Sequence, residues 1–385
     1  MRKTTLSLSV AVLLAASCGA QPDTGVTTEQ DAINVGPTSK IAGFVTVENR
    51  IANLPNTAPV TDPELVNAWG LAFNPKGPAW INANGRGLSK VYSRQSGIET
   101  QVLSVVVPPP KHGMPPSAPT GIAFNSDTSA FRGDVFIFAT EDGTISGWQP
   151  SDVGMAKLRV DHSKLNAVYK GLAIGEKDGH LRIYAADFHN NRVDVFDENY
   201  HEIFLHNDRF HEERLHDRKF EDRFIPDNYA PFNIFVHNGL LFVSYAKQDA
   251  ARHDDDAAPG RGFVDVYEPD GGLVERLIAR GVLDSPWGMA VIPGGGDQKS
   301  ETLLVGNFGD GRINAFTLDE SKAGDVDATL LGALADKTTK ASLVIDGLWA
   351  LVFGPGAGGF DADGLYFTAG PNSESEGLFG EISFD

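Results

Sequence analysis

The residues best placed to do chemistry stand at one point of a phrase that recurs six times in the chain. Trp69, Thr120, Lys170, Phe232, Trp287 and Trp349 each precede a small or polar residue, as in Trp69-Gly70-Leu71-Ala72-Phe73 and Trp287-Gly288-Met289-Ala290-Val291. Four aromatic faces can stack on a sugar or another planar ligand, and the Lys170 ammonium can meet an anionic group. Asn67, Asn233 and Asp346 lie close by in sequence and add oxygen donors. The same large side chains also suit a purely structural role, plugging an axial hole by packing area.

Other polar clusters have a weaker claim. Histidines at 201, 206, 211 and 216 are spaced by five, which suits neither a helix face nor a strand face, so a solvated loop is expected over residues 201–224. The run Asp254-Asp255-Asp256 carries oxygen ligands for Ca²⁺ without the spacing of an EF-hand loop. Asp187, Asn190, Asn191, Asn307 and Asp310 fall at hairpin turns, where side-chain to backbone bonds account for them. The sequence has no Gly-x-Ser-x-Gly elbow, His-Glu-x-x-His, P-loop or dinucleotide-binding glycine pattern. Cys18 is the only cysteine, which excludes thiol catalysis in the body of the chain.

The elements that must position these residues follow from the repeat. Counted from Trp69, the copies are spaced by 51, 50, 62, 55 and 62 residues, near and somewhat above the length of propeller blades. Large and small residues alternate within each copy, as a strand with one crowded and one close-packed face requires. Further apolar runs follow, separated by hairpin signals such as Glu141-Asp142-Gly143 and Gly309-Asp310-Gly311. The pattern predicts an all-β, six-bladed β-propeller of four-stranded antiparallel blades over residues 40–385. The last unit is one strand short, and Phe44-Val45-Thr46-Val47 is expected to complete it, closing the ring.

The chain has 385 residues and a formal net charge of −19, which argues against nucleic acid as a partner. Residues 1–17 read as a signal peptide, with Arg2 and Lys3 ahead of an apolar core too short to span a bilayer. Cys18 sits where a bacterial lipobox places the lipidated cysteine, so the expectation is a lipid-anchored envelope protein, or a secreted one if Cys18 is not lipidated. Residues 18–39 read as a flexible tether.

The phrase Gly-Leu-Ala-Phe and the strand Arg192-Val193-Asp194-Val195-Phe196-Asp197 resemble NHL-type repeats and the superfamily of six-bladed calcium-dependent phosphotriesterases and gluconolactonases. Segments such as Ser285-Pro286-Trp287-Gly288 and Gly347-Leu348-Trp349-Ala350-Leu351 resemble, more narrowly, a family of exported bacterial propellers of this type, over residues 40–385. The resemblance implies the fold and export, without an activity. The superfamily's hydrolases hold their metal with Glu, Asn, Asn and Asp, and the matching positions here are the Trp, Thr, Lys, Phe, Trp, Trp set. It therefore argues against that Ca²⁺ site.

The resulting expectation is an exported monomer that binds a glycan, small molecule or partner protein at an aromatic-lined channel mouth. A metal-dependent hydrolase or lyase with a displaced site, and a structural envelope protein, are the alternatives. Convergent carboxylates, amides or imidazoles around the channel would favour an enzyme. Partly exposed tryptophans would favour a binder, and tryptophans packed shut would mark a plug.

Overall fold

The computed structural model describes residues 41–203, 219–294, 301–322 and 325–384. The leader, Cys18 and tether, and the histidines at 206, 211 and 216, lie outside the described residues. Among the described residues the regular structure is strand, with short 3₁₀ turns and no α-helix.

Each copy of the phrase forms the first strand of an antiparallel meander. The first runs Ala68–Asn74, Gly77–Ala83, Leu88–Gln95 and Ile98–Val106, and the second Pro119–Phe124, Phe136–Thr140, Thr144–Trp148 and Lys157–Asp161. The third has three strands among the described residues, Tyr169–Lys177, His180–Asp187 and Arg192–Phe196. The fourth runs Tyr229–His237, Leu240–Lys247, Gly262–Tyr267 and Leu273–Ala279.

The fifth and sixth copies open two meanders that merge into one sheet through the N-terminal strand. Ile41–Ala52 pairs antiparallel with Leu378–Phe384, in the register Val45 to Phe384 and Val47 to Ile382. Its other edge pairs parallel with Asp325–Asp336, Phe44 facing Ala335. The first and last described strands are thus joined by backbone hydrogen bonds, which removes a free edge from the last meander. The first strands pack on one another in succession, and Leu348–Phe353 packs on Ala68–Asn74 to close the ring. This is the arrangement of a β-propeller.

The small residue of the phrase explains the close approach of the first strands. A Cβ on Gly70 would lie 2.3 Å from the Thr120 carbonyl oxygen, and one on Gly288 would lie 2.4 Å from that of Trp349. Between the first and second meanders the core is aromatic, with Trp80 stacked on Phe136 at 4.0 Å, and between the fourth and fifth it is mostly aliphatic. Elsewhere in the sheets two buried carboxylates are paired: Arg159 donates twice to Asp134, which also accepts from the Tyr200 hydroxyl at 2.6 Å, and Arg276 clasps Asp222. These groups hold sheets together and lie away from the axis.

Candidate functional site

In an antiparallel meander the end of the second strand lies beside the start of the first. Ala68 faces Ala83, Pro119 faces Thr140, Tyr229 faces Lys247 and Leu348 faces Ala369. Loops between second and third strands therefore rise over the axial positions named by the repeat. Those loops carry Asn84, Glu141, Phe188, His253 with Asp254, Phe308 and Glu374.

Beneath them the aromatics form a plug. Trp69 stacks on Trp349 at 3.6 Å and 13°, Phe308 covers the same indole at 4.0 Å, and Trp287 meets both tryptophans edge-on. Phe232 packs against Trp349. All four predicted aromatics are at most 5 % exposed, so they pack on each other instead of lining an open mouth. The structure brings the six axial residues together, but Thr120 is fully buried and donates to the Tyr169 carbonyl. Trp349 Nε1 donates to Asn67 Oδ1 at 2.9 Å and Trp287 Nε1 to the Lys170 carbonyl at 3.0 Å, whereas the buried Trp69 Nε1 has no partner.

Above the plug the surface is polar, and Lys170 is its centre. Its ammonium, 5.3 Å from the Trp69 ring, donates to Glu141 Oε1 at 2.5 Å and Asp254 Oδ1 at 2.8 Å. Burial works against the charged form, but the two carboxylates outweigh it and hold Lys170 above the ordinary lysine range. Asn84 Nδ2 donates to Glu141 Oε2 at 2.8 Å, and Asn67 Nδ2 to Asn84 Oδ1. His253 Nδ1 lies 3.1 Å from Asp254 Oδ1. That bond is the main cause holding Asp254 below, and His253 above, the usual value for its type. Glu374 completes the cluster: burial, then repulsion from Glu141, pushes its carboxyl up to about 7, while Lys170 pulls the other way.

The remaining predicted neighbours separate. Asn67 belongs to the cluster. Asn233 lies lower, donating to the Trp287 carbonyl at 2.8 Å, and the exposed Asp346 accepts from the backbone of Asn372. The acidic run is divided, Asp254 on Lys170 and Asp256 on Lys247 and Arg261. Turn residues cap turns, as Asp187 does for the Asn190 amide and Asn307 for Asp310. Glu141, His253, Asp254, Glu374 and Asn84 were not singled out by the repeat, because they lie in loops of unequal length. The available signal was the shared position after each second strand.

Chemically, two carboxylates hold one ammonium, an imidazole and two amides brace those carboxylates, and a third carboxylate lies within electrostatic reach. One ligand atom each from Glu141, His253 and Asp254 lies within 4.8 Å of the others, the span of a metal site.

The closed ring and the charged cluster over its axis define a β-propeller with an acidic mouth. The chain is 30 % identical over 366 residues to uncharacterized protein L690 of Acanthamoeba polyphaga mimivirus, covering 91 % of this chain and 88 % of that protein. It belongs to the family of that protein. Uncharacterized protein R648 of the same virus is 28 % identical over 350 residues, covering 87 % and 79 %. These relatives overturn the expected exported bacterial family of NHL type: local phrases that any propeller strand needs had carried that resemblance. No family model matches the chain. Among solved structures, the soluble aldose sugar dehydrogenase of Escherichia coli superposes with a TM-score of 0.52 at 14 % identity, covering 89 % of this chain and 100 % of that one. A Thermus protein described as a glucose dehydrogenase gives 0.51 at 15 %, covering 88 % and 99 %. At such identity these similarities show the fold alone.

Proposed function

We propose that the chain is a six-bladed propeller, its last blade completed by the N-terminal strand, that binds a small polar ligand bearing a cationic group at the acidic mouth. The observation that carries this reading is the pair of carboxylates, Glu141 and Asp254, brought from two loops to one buried ammonium, with Glu374 from a third loop within electrostatic reach of all three. Lys170 balances one of these charges and protonated His253 part of a second, so an amine or guanidinium finds its remaining acceptors best where His253 is neutral and Glu374 ionised. The aromatic plug serves as a rigid floor in this reading, not as the contact surface.

A second reading, metal-dependent hydrolysis at a displaced site, rests on the grouping of Glu141, His253 and Asp254. There Lys170 would have to withdraw from two of the ligands, since an ammonium and a divalent cation compete for the same oxygens.

Calorimetric titration of the full chain with putrescine, agmatine, glucose, glucuronate and Ca²⁺ tests both. Saturable binding of the two cationic amines, with none by glucuronate, is expected. Preference for glucuronate, or no binding of any amine, would contradict the proposal, and binding of Ca²⁺ alone would favour the metal reading.

A further inference from the structure

The plug lies at one end of the ring. Below it lies a cavity of about 410 Å³, within the range of small-molecule sites. Its wall is built by the residue two places after each axial position: Leu71, Ile122, Leu172, Ile234, Met289 and Leu351. The sequence repeat thus delivers one aliphatic side chain from every first strand. Glycines at 70, 121, 171 and 288 draw these strands together, since a Cβ at any of them would stand within 2.6 Å of a neighbouring strand.

Trp287 lies in the wall and also belongs to the plug, so it separates the polar mouth from this apolar space. The titratable side chains among the described lining residues are His237 and Glu301, paired through Nε2 and Oε2 at 2.6 Å. They come from the far end of the strand Tyr229–His237 and the start of Glu301–Asn307, away from the mouth. Most of this lining is apolar, which favours an apolar occupant with a polar end near His237 and Glu301. Glu301 disfavours an anionic one.

We propose that this cavity is a second binding site, for a compact apolar small molecule that is neutral or carries a hydrogen-bond-donating end, entering from the face opposite the mouth. The site is independent of the ligand at the mouth.

The test is a titration of the full chain with the neutral probe N-phenyl-1-naphthylamine, followed by energy transfer from tryptophan to the probe. One saturable site is expected, with the anionic probe 1-anilinonaphthalene-8-sulfonate bound at least tenfold more weakly and regaining affinity in Glu301→Gln. Met289→Trp, which fills the cavity, should weaken binding of the neutral probe at least tenfold. Leu172→Phe is a milder filler with the same expected direction. Crystals of the unaltered protein under xenon pressure give a readout that needs no variant, and a xenon peak inside the ring is expected. Absence of saturable binding, equal binding of both probes, unchanged affinity in a folded filling variant, or a ring without xenon would each overturn the proposal.

Discussion

Lys170 Nζ stands 2.5 Å from Glu141 Oε1, an ion pair between the first strand of one meander and a loop of the meander before it. Asp254, from the meander after, holds the same ammonium at 2.8 Å. One side chain therefore ties three successive units over the axis. Lys170→Met leaves Glu141 short of its cation in a largely buried place, and the variant should lose about 3 kcal/mol of stability. Added Ca²⁺ or Mg²⁺ should recover part of that loss, because the carboxylates then lack a competing ammonium. Chemical denaturation with and without the ion measures both effects, and an unchanged midpoint would refute the tie.

Stability should fall as the pH rises through the range where Glu374 titrates. Its carboxyl is raised from 4.5 to about 7 by burial, so the folded state holds a proton that the unfolded chain has released. The favourable contribution is complete below about 4.5 and lost as the pH passes about 7. Asp284, raised to about 6 by burial and by Asp310, acts in the same direction. Glu374→Gln should be more stable than the parent at pH 8, on the order of 2 kcal/mol, with the gap closing towards pH 5. Thermal melts across that range check it, and parallel curves would refute it.

The two stacked tryptophans should respond differently to the same change. Trp349→Phe removes the donor to Asn67 Oδ1 and should cost about 2 kcal/mol. Trp69→Phe removes a buried N–H that has no partner, and should cost less than that. Truncation of either to alanine should cost about 3–5 kcal/mol, because the rings pack on each other. Denaturation midpoints of the four variants rank these costs. Equal losses in the two phenylalanine variants would contradict the hydrogen-bond assignment.

Ring closure predicts a long-range effect. Val45 is fully buried between the sheet partners Phe384 and Asp336. Val45→Asp places an unpaired charge in that seam and should destabilise the whole chain by several kcal/mol, not just its first strand. Hydrogen exchange would then show lowered protection in the Leu378–Phe384 strand as well. Protection unchanged there would contradict closure.

Much of the architecture was legible in the phrase around Trp69 and its five copies. Crowded and small residues alternate there for a reason the structure makes explicit: Gly70 must approach the Thr120 carbonyl. That the strand Phe44-Val45-Thr46-Val47 joins the last unit was equally legible, since that unit lacked a strand, whereas the register of Val45 on Phe384 was not. The site was legible only in part. Axial positions could be named, but whether their rings stand open or shut depends on Phe308 and Phe188, which arrive from loops. Lys170 was visible as a lone cation, yet its partners Glu141 and Asp254 lie 29 and 84 residues away. Periodicity reports which face a residue takes within its own strand, and carries no record of which loop folds over it.

The central claim is that the acidic mouth takes a cation, and proton release on binding tests it most directly. Putrescine titrated into the full chain at pH 6, in buffers of different ionisation enthalpy, should expel a proton from Glu374, because a second positive charge favours its carboxylate. Affinity should rise from pH 6 to pH 8, and in Glu374→Gln the proton release should fall to the part supplied by His253, whose imidazole is also held above its usual value. Binding without proton release, or release undiminished in Glu374→Gln, would contradict the account.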